Sequence, residues 1–383
     1  GNQIFATTSN YTWSVVGFFT LMGMFCFYLK FGDDIFTCVQ KFLGHVKGGL
    51  AIVTIGASAL LGAVVGDNNS VVSTMSAIAY PQMKKHNYDD SLAAGVMAAG
   101  SGLGPLIPPS TGFIIFGSLT GVSVGQLFVA GVIPGIVMAL GYVVTIMILC
   151  HRHPEWGPKG PTSTAQERLR TLPMALPIII LFIFVIGGIF LGIFTASEGG
   201  AMGCIGALII GLIMRRVNLR DFFKAIIQSG SILGMIFTVL IGANIFATFI
   251  SWCNLSGMIA DIFNNLSLSP MTFCALCFIL MLIAGCFIDI IPLFFLCIPI
   301  FYPIANMMGV DGVWFGVMLV TCIQTGVITP PFASVLFLMR GLTDIPINKI
   351  FRGVWPFVFA TVVVLVILFL VPSLVTILPS LLY

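Results

Sequence analysis

The chain has 383 residues, of which 58% are hydrophobic and only 8% charged, with a formal net charge of +3. No soluble domain of that length is so apolar, and repeated apolar runs of about twenty residues mark a polytopic α-helical membrane protein. The lipid bilayer is its expected surroundings, and no nucleic-acid partner is expected.

In chain order, a first crossing is expected over residues 11–29. An amphipathic segment follows over 33–45, with Ile35, Phe36, Val39, Phe42 and Leu43 on one face. Residues 48–85 are apolar but interrupted in their middle by Gly66-Asp67-Asn68-Asn69-Ser70. Crossings then read at 91–119, which contains the Pro- and Gly-rich run "GLGPLIPPS" from Gly102 to Ser110, and at 127–150. A polar loop separates them from crossings at 172–194, 199–214 and 229–252, and from a second amphipathic stretch at 257–266. Residues 270–308 are again apolar with a polar interruption at Asp289, and the last crossings read at 312–339 and 353–371.

The basic residues test this map. If the two interrupted segments are re-entrant hairpins that return to their own side, all sixteen Lys and Arg fall on one face. The positive-inside rule makes that face cytoplasmic and leaves the C-terminus periplasmic.

An internal repeat supports the hairpins. At a constant offset of 222 residues, the separation of Asp67 from Asp289, Tyr80 matches Tyr302, Pro81 matches Pro303 and Asp89 matches Asp311. Gly104 matches Gly326, Pro108 and Pro109 match Pro330 and Pro331, Gly131 matches Gly353, and Pro134 matches Pro356. Five crossings lie between the hairpins, so the second copy is inverted. Inverted repeats with broken helices at matching places are the pattern of secondary transporters, with the site between the repeats near mid-membrane.

Breaking a helix frees carbonyls, which suit Na⁺, at one end and N–H groups, which attract carboxylates, at the other. The expected cation-binding set is Gly66, Asp67, Asn68, Ser70, Gly102, Gly104, Asp289, Thr325, Gly326 and Val327. The expected substrate contacts are Asn69, Pro108, Pro109, Ser110, Thr329, Pro330 and Pro331, with Thr329 read as a helix cap ahead of Pro330. Asp67 also reads as a cap of its own tip, and Glu198 as a first-turn acid that caps an external helix start. A carboxylate at mid-membrane implies a partner, and a bound cation serves because the basic residues lie at the edge. Na⁺ is the only metal and no organic cofactor is expected.

Enzyme readings fail on chemistry. All four histidines lie at the expected cytoplasmic edge, and HExxH and Walker-type motifs are missing. The ten cysteines are scattered, and Cys274 and Cys277 read as small buried hydrophobes. The rival reading is an oligomeric ion channel with re-entrant loops, and a binding-only membrane scaffold comes third.

Several runs resemble the large membrane subunit of TRAP (tripartite ATP-independent periplasmic) transporters. They are "GLGPLIPPS", "LFVAGVIPG", "GIFTASEGGA", "PIFYPIANMMGVDGVWFGVM" and "GVITPP". The first tip departs from the family's usual Gly-Ser-Ser followed by Asp, and "TASE" from its Thr-Pro-Thr-Glu, although Glu198 is kept. The resemblance implies a Na⁺-driven elevator of the ion-transporter fold that imports a small carboxylate-bearing organic acid. It also implies two partners, a small membrane subunit and a periplasmic solute-binding protein, and a bacterial inner-membrane location.

The expected fold is therefore all-α and polytopic, with inverted repeats, two re-entrant hairpins and two broken helices. Residues 1–47 would form scaffold and arm, and 48–150 the first half of a transport domain (hairpin 48–85, broken helix 88–119, helix 127–150). Residues 151–269 would supply loop, scaffold helices and second arm. Residues 270–383 would form the second half of the transport domain (hairpin 270–309, broken helix 311–339, helix 353–371). The second repeat opens with two crossings that have no counterpart in the first. The expectation is that about fifty residues, one or two helices, precede Gly1 in the natural chain.

Overall fold

The computed structural model describes residues 9, 11–160, 163–253, 257–258 and 269–382. Among them lie sixteen α-helices and no strand. The first, α1 (Ser14–Tyr28), meets α2 (Phe31–Leu43) at a 64° bend where Lys30 takes a left-handed conformation, φ 60°. The first hairpin is α3 (Gly49–Val65) and α4 (Asn68–Lys85). The first broken helix is α5 (Asp90–Ser101) and α6 (Thr111–Thr120), followed by α7 (Val124–Arg152). Next come α8 (Ala165–Phe190), α9 (Ala196–Ile213) and α10 (Leu219–Trp252). The second hairpin is α11 (Pro270–Gly285) and α12 (Ile290–Met307), and the second broken helix is α13 (Gly312–Val327) and α14 (Ser334–Leu342). The chain closes with α15 (Ile347–Leu370) and α16 (Ser373–Leu382).

Polar residues cut many of these helices out of apolar sequence by accepting from a free N–H group of the first turn. Asp89 and Asp311, matched by the repeat, cap α5 and α13, accepting from the N–H groups of Ser91 and Trp314. Thr195 and Glu198 form a reciprocal capping box on α9, as expected for Glu198. Ser269 caps α11 with Pro270 in its first turn.

Each hairpin packs on the broken helix of its own repeat through paired glycines. A Cβ on Gly62 would lie 2.6 Å from the Cα of Gly104, and one on Gly326 would lie 2.6 Å from the Cα of Gly285. Such backbone contact is how helices associate where no hydrophobic driving force separates them from lipid. The two repeats meet through α5 and α15, where Gly353 has no room for a Cβ against the Ser91 carbonyl. Tyr142 on α7 and Thr361 on α15 add a buried hydroxyl pair at 2.8 Å. Helix α1 packs against α9 and α10, and α2 against α3 and α8.

By length and apolar composition six helices among the described residues can cross a membrane, or seven if the bent α1–α2 pair is one span. The broken helices are short in each half because the Pro- and Gly-rich runs stop them. Three departures from the sequence reading stand out. Helix α10 begins at Leu219 rather than near 229, and α16 follows the final expected crossing. Thr329 does not cap the next helix: its hydroxyl donates to the Thr325 carbonyl, and α14 starts only at Ser334. Pro330 and Pro331 have no N–H to donate, and the helix resumes beyond them. The second amphipathic stretch lies outside the described residues apart from 257 and 258.

Candidate functional site

A cavity of 330 Å³ lies where both hairpin tips approach α1 and α10. Four helices begin at its wall. Asn68, Asn69 and Ser70 open α4, Thr111 opens α6, Ile290 and Ile291 open α12, and Val335 lies in the first turn of α14. Each helix start carries N–H groups with no partner inside the helix, one of them taken by a side-chain cap in α4, α6 and α12, and the positive end of the helix dipole, so four such ends meet at one small volume. Two carboxylates, Asp67 and Asp289, line the same cavity.

The first tip is tightly determined. Gly66 ends α3 with φ 67°, a conformation that glycine adopts without penalty, and a Cβ there would lie 2.8 Å from the Pro109 carbonyl oxygen. Its own carbonyl accepts from the Thr111 hydroxyl at 2.9 Å, tying tip to broken helix. Asp67, in extended backbone, caps α4 by accepting from the Ser70 N–H at 2.8 Å. Asn68 is buried and crosses to the other repeat, donating through Nδ2 to Gln324 Oε1 on α13 at 3.0 Å. The remaining atoms of that pair, Asn68 Oδ1 and Gln324 Nε2, are buried and make no hydrogen bond within the protein.

The second tip is simpler. Asp289 caps α12, accepting from the Ile290 N–H at 2.8 Å, and also accepts from the Ser334 hydroxyl at 3.4 Å. The structure thus gathers Gly66, Asp67, Asn68, Asn69, Ser70, Asp289 and Val327 on one cavity. Other expected positions lie behind this wall. Gly102 abuts Gln324, so that a Cβ there would lie 3.1 Å from Nε2, and Gly104 and Gly326 serve the glycine contacts described above. Thr325 is buried with its hydroxyl donating to the Thr321 carbonyl. Ser110 is buried and committed, accepting from the Phe113 N–H and donating to the Pro105 carbonyl. Pro108, Pro109, Thr329, Pro330 and Pro331 do not line the cavity, and both Pro–Pro peptide bonds are cis.

Sequence reasoning passed over Gln324, Thr111 and the opposite wall, where Met24 and Phe27 of α1 face Gln228, Ile232 and Met235 of α10. The spacing of the last three, i, i+4 and i+7, is that of one helix face. It also passed over Asp34, buried on α2 and paired through both carboxylate oxygens with Arg216, Nη2 to Oδ1 being 3.1 Å.

Comparison with known proteins follows this geometry. Residues 1–374 match the family model described as "Tripartite ATP-independent periplasmic transporter, DctM component". A C4-dicarboxylate TRAP transporter large permease protein of Pseudomonas aeruginosa is 30% identical over 99% of this chain and 88% of its own. A sialic acid TRAP transporter large permease protein of Vibrio cholerae is 29% identical over the same shares. Among solved structures, the YdaH transporter of Alcanivorax borkumensis superposes with a TM-score of 0.68 over 94% of this chain and 85% of its own. At 11% identity that likeness concerns the fold alone.

Proposed function

The chain belongs to the family of DctM components of TRAP transporters, and from that premise we propose that it imports a carboxylate-bearing organic solute by sodium-coupled secondary active transport. It is a transporter permease, not an enzyme. The observation that carries the substrate class is the convergence of four helix N-termini on one cavity of 330 Å³. Free N–H groups at dipole-positive ends bind carboxylates without a basic side chain, and the cavity wall has none. Dicarboxylate and sialic acid, the solutes in the relatives' names, are both carboxylates.

The two aspartates favour a cation in the same place. Two carboxylates at membrane depth need a counter-charge, and Na⁺ supplies it while raising the positive potential that an anion meets. In this reading the hairpins, broken helices, α7, α15 and α16 form the moving body, and α1, α8, α9 and α10 the fixed scaffold. The apolar faces of the scaffold receive a small membrane subunit, and a periplasmic binding protein delivers the solute. The basic loops face the cytoplasm across the bacterial inner membrane.

Counterflow in proteoliposomes holding the complete transporter tests the class. Preloaded unlabelled solute accelerates label uptake by a carrier and leaves a channel unaffected. The cation assignment is tested by Asp67→Asn and Asp289→Asn. Each lowers apparent Na⁺ affinity, the first by roughly ten- to a hundredfold, since a lost charge-assisted contact is worth about 1.5–3 kcal/mol. Unchanged Na⁺ dependence in both variants would refute it. Cross-linking that fixes the small subunit against α3 and α4 would refute the division into moving and fixed parts.

A further inference from the structure

The fixed wall of the cavity is apolar except at one point. Among the cavity-lining residues of α1 and α10, Met24, Phe27, Ile232 and Met235 are apolar and Gln228 alone carries a polar group. Gln228 lies one turn beyond the charged start of α10, which holds Arg220, Asp221 and Lys224, and on the face that lines the cavity its amide meets water or a polar partner rather than lipid. Its oxygen already has a partner. The Tyr28 hydroxyl donates to Gln228 Oε1 at 2.8 Å, across 200 residues of sequence. With Oε1 engaged by Tyr28, the NH₂ group, which only donates, supplies two N–H groups to a ligand.

We propose that Gln228, oriented by Tyr28, is the scaffold-side residue that recognises a carboxylate oxygen of the transported solute. This rests on the reading that the cavity takes a carboxylate, and it adds a donor on the opposite wall from the helix N-termini. The orientation discriminates. A cation would have to share the amide oxygen with the Tyr28 hydroxyl, whereas an anion needs N–H groups, and Nε2 has two. A solute held between moving helix ends and a fixed amide would contact both bodies at once. Tyr28 is the positioning residue: it also lines the adjoining cavity of 350 Å³, which shares Phe27 and Ser73 with the first. The pair therefore stands where the two spaces meet.

The test is uptake of radiolabelled C4-dicarboxylate and of radiolabelled sialic acid by the complete transporter in proteoliposomes, with KM and maximal rate measured separately. Gln228→Ala is expected to raise KM for the transported anion roughly tenfold with the maximal rate changed by less than about twofold. Gln228→Glu, of the same shape but able only to accept, is expected to raise it further. Tyr28→Phe is expected to raise KM about threefold, because the amide is then free to turn. It removes one oxygen and serves if the Gln228 variants do not insert. Apparent Na⁺ affinity at saturating solute should stay within about twofold in all three, a readout that general damage would move. KM unchanged in Gln228→Glu and Tyr28→Phe, with the unmutated transporter active, overturns the assignment while leaving the proposed function standing. No uptake by the unmutated transporter of either anion or of any other carboxylate in a labelled panel of organic mono- and diacids removes the reading beneath it.

Discussion

The two hairpin tips occupy matching places in the repeat and share almost no chemistry. Gly66-Asp67-Asn68-Asn69-Ser70 stands opposite Ile288-Asp289-Ile290-Ile291-Pro292, and only the aspartate is common. Both aspartates cap the returning arm of their hairpin, and both hairpins press a glycine against a glycine of their broken helix. Beyond that the tips part. The first needs a left-handed glycine, bonds its carbonyl to Thr111 and sends Asn68 across to Gln324. The second carries apolar side chains and leaves Asp289 exposed beside Ser334. Repeat symmetry has kept what shapes the backbone, namely caps, glycine contacts and proline breaks. Of the two tips, the first carries most of the polar side chains that line the cavity.

The largest expected effect separates the tips at their first residue. Gly66→Ala places a side chain on a left-handed residue, costing about 1–2 kcal/mol, and drives its Cβ toward the Pro109 carbonyl. Together these should destabilise the purified subunit by about 2–4 kcal/mol in detergent unfolding experiments. The matching Ile288→Ala, with no such conformation to lose, should cost about 1 kcal/mol. Equal costs would erase the distinction between the tips.

The next effect asks whether the first tip is truly joined to the other repeat. Gln324→Ala leaves Asn68 Nδ2 buried without an acceptor, and Asn68→Ala leaves Gln324 Oε1 without a donor. Each should cost about 1–3 kcal/mol, and the double variant should cost clearly less than their sum. Additive costs in this cycle would mean that the amide pair carries no coupling between the repeats.

Much of this was legible in the sequence because the repeat is written in residues that act on their own neighbourhood. Pro108-Pro109 stops a helix whatever surrounds it, and Asp89 or Asp311 caps one, so the hairpins and broken helices could be placed. The Asp67 and Asp289 positions followed from the same local logic. What stayed hidden depends on approach between distant segments. Gln324 lies in a run read for its carbonyls, and only the fold brings its side chain to Asn68. Tyr28 lies at the end of one expected crossing and Gln228 just ahead of another, and nothing in the sequence joins them until α1 and α10 pack together. Asp34 sits on a helix read only for its apolar face, and its partner Arg216 is 182 residues away. Ser110 and Thr329 were read as ligand hydroxyls, yet each sits beside a helix break where a backbone group needs a partner, and each bonds that backbone instead.

The smallest expected effect concerns Thr111, and the repeat supplies its own control. The position 222 residues later is Ala333, so Thr111→Ala gives the first broken helix the residue that the second already has. In the first repeat the Thr111 hydroxyl donates to the Gly66 carbonyl at 2.9 Å, the bond that holds the tip to the start of α6. Its loss should cost about 1 kcal/mol, the ordinary net value of one hydrogen bond, because Thr111 is only partly buried and water can replace the donor. Thr111→Ser keeps the hydroxyl and should restore most of that stability, whereas Thr111→Val keeps the shape and should not. Because Gly66 lines the cavity, loosening it should also be felt in transport, as a modest rise in KM with Ala and Val but not with Ser. If Ser and Val behave alike, the hydroxyl is not what secures the tip, and the glycine contact of the first hairpin holds it without that bond.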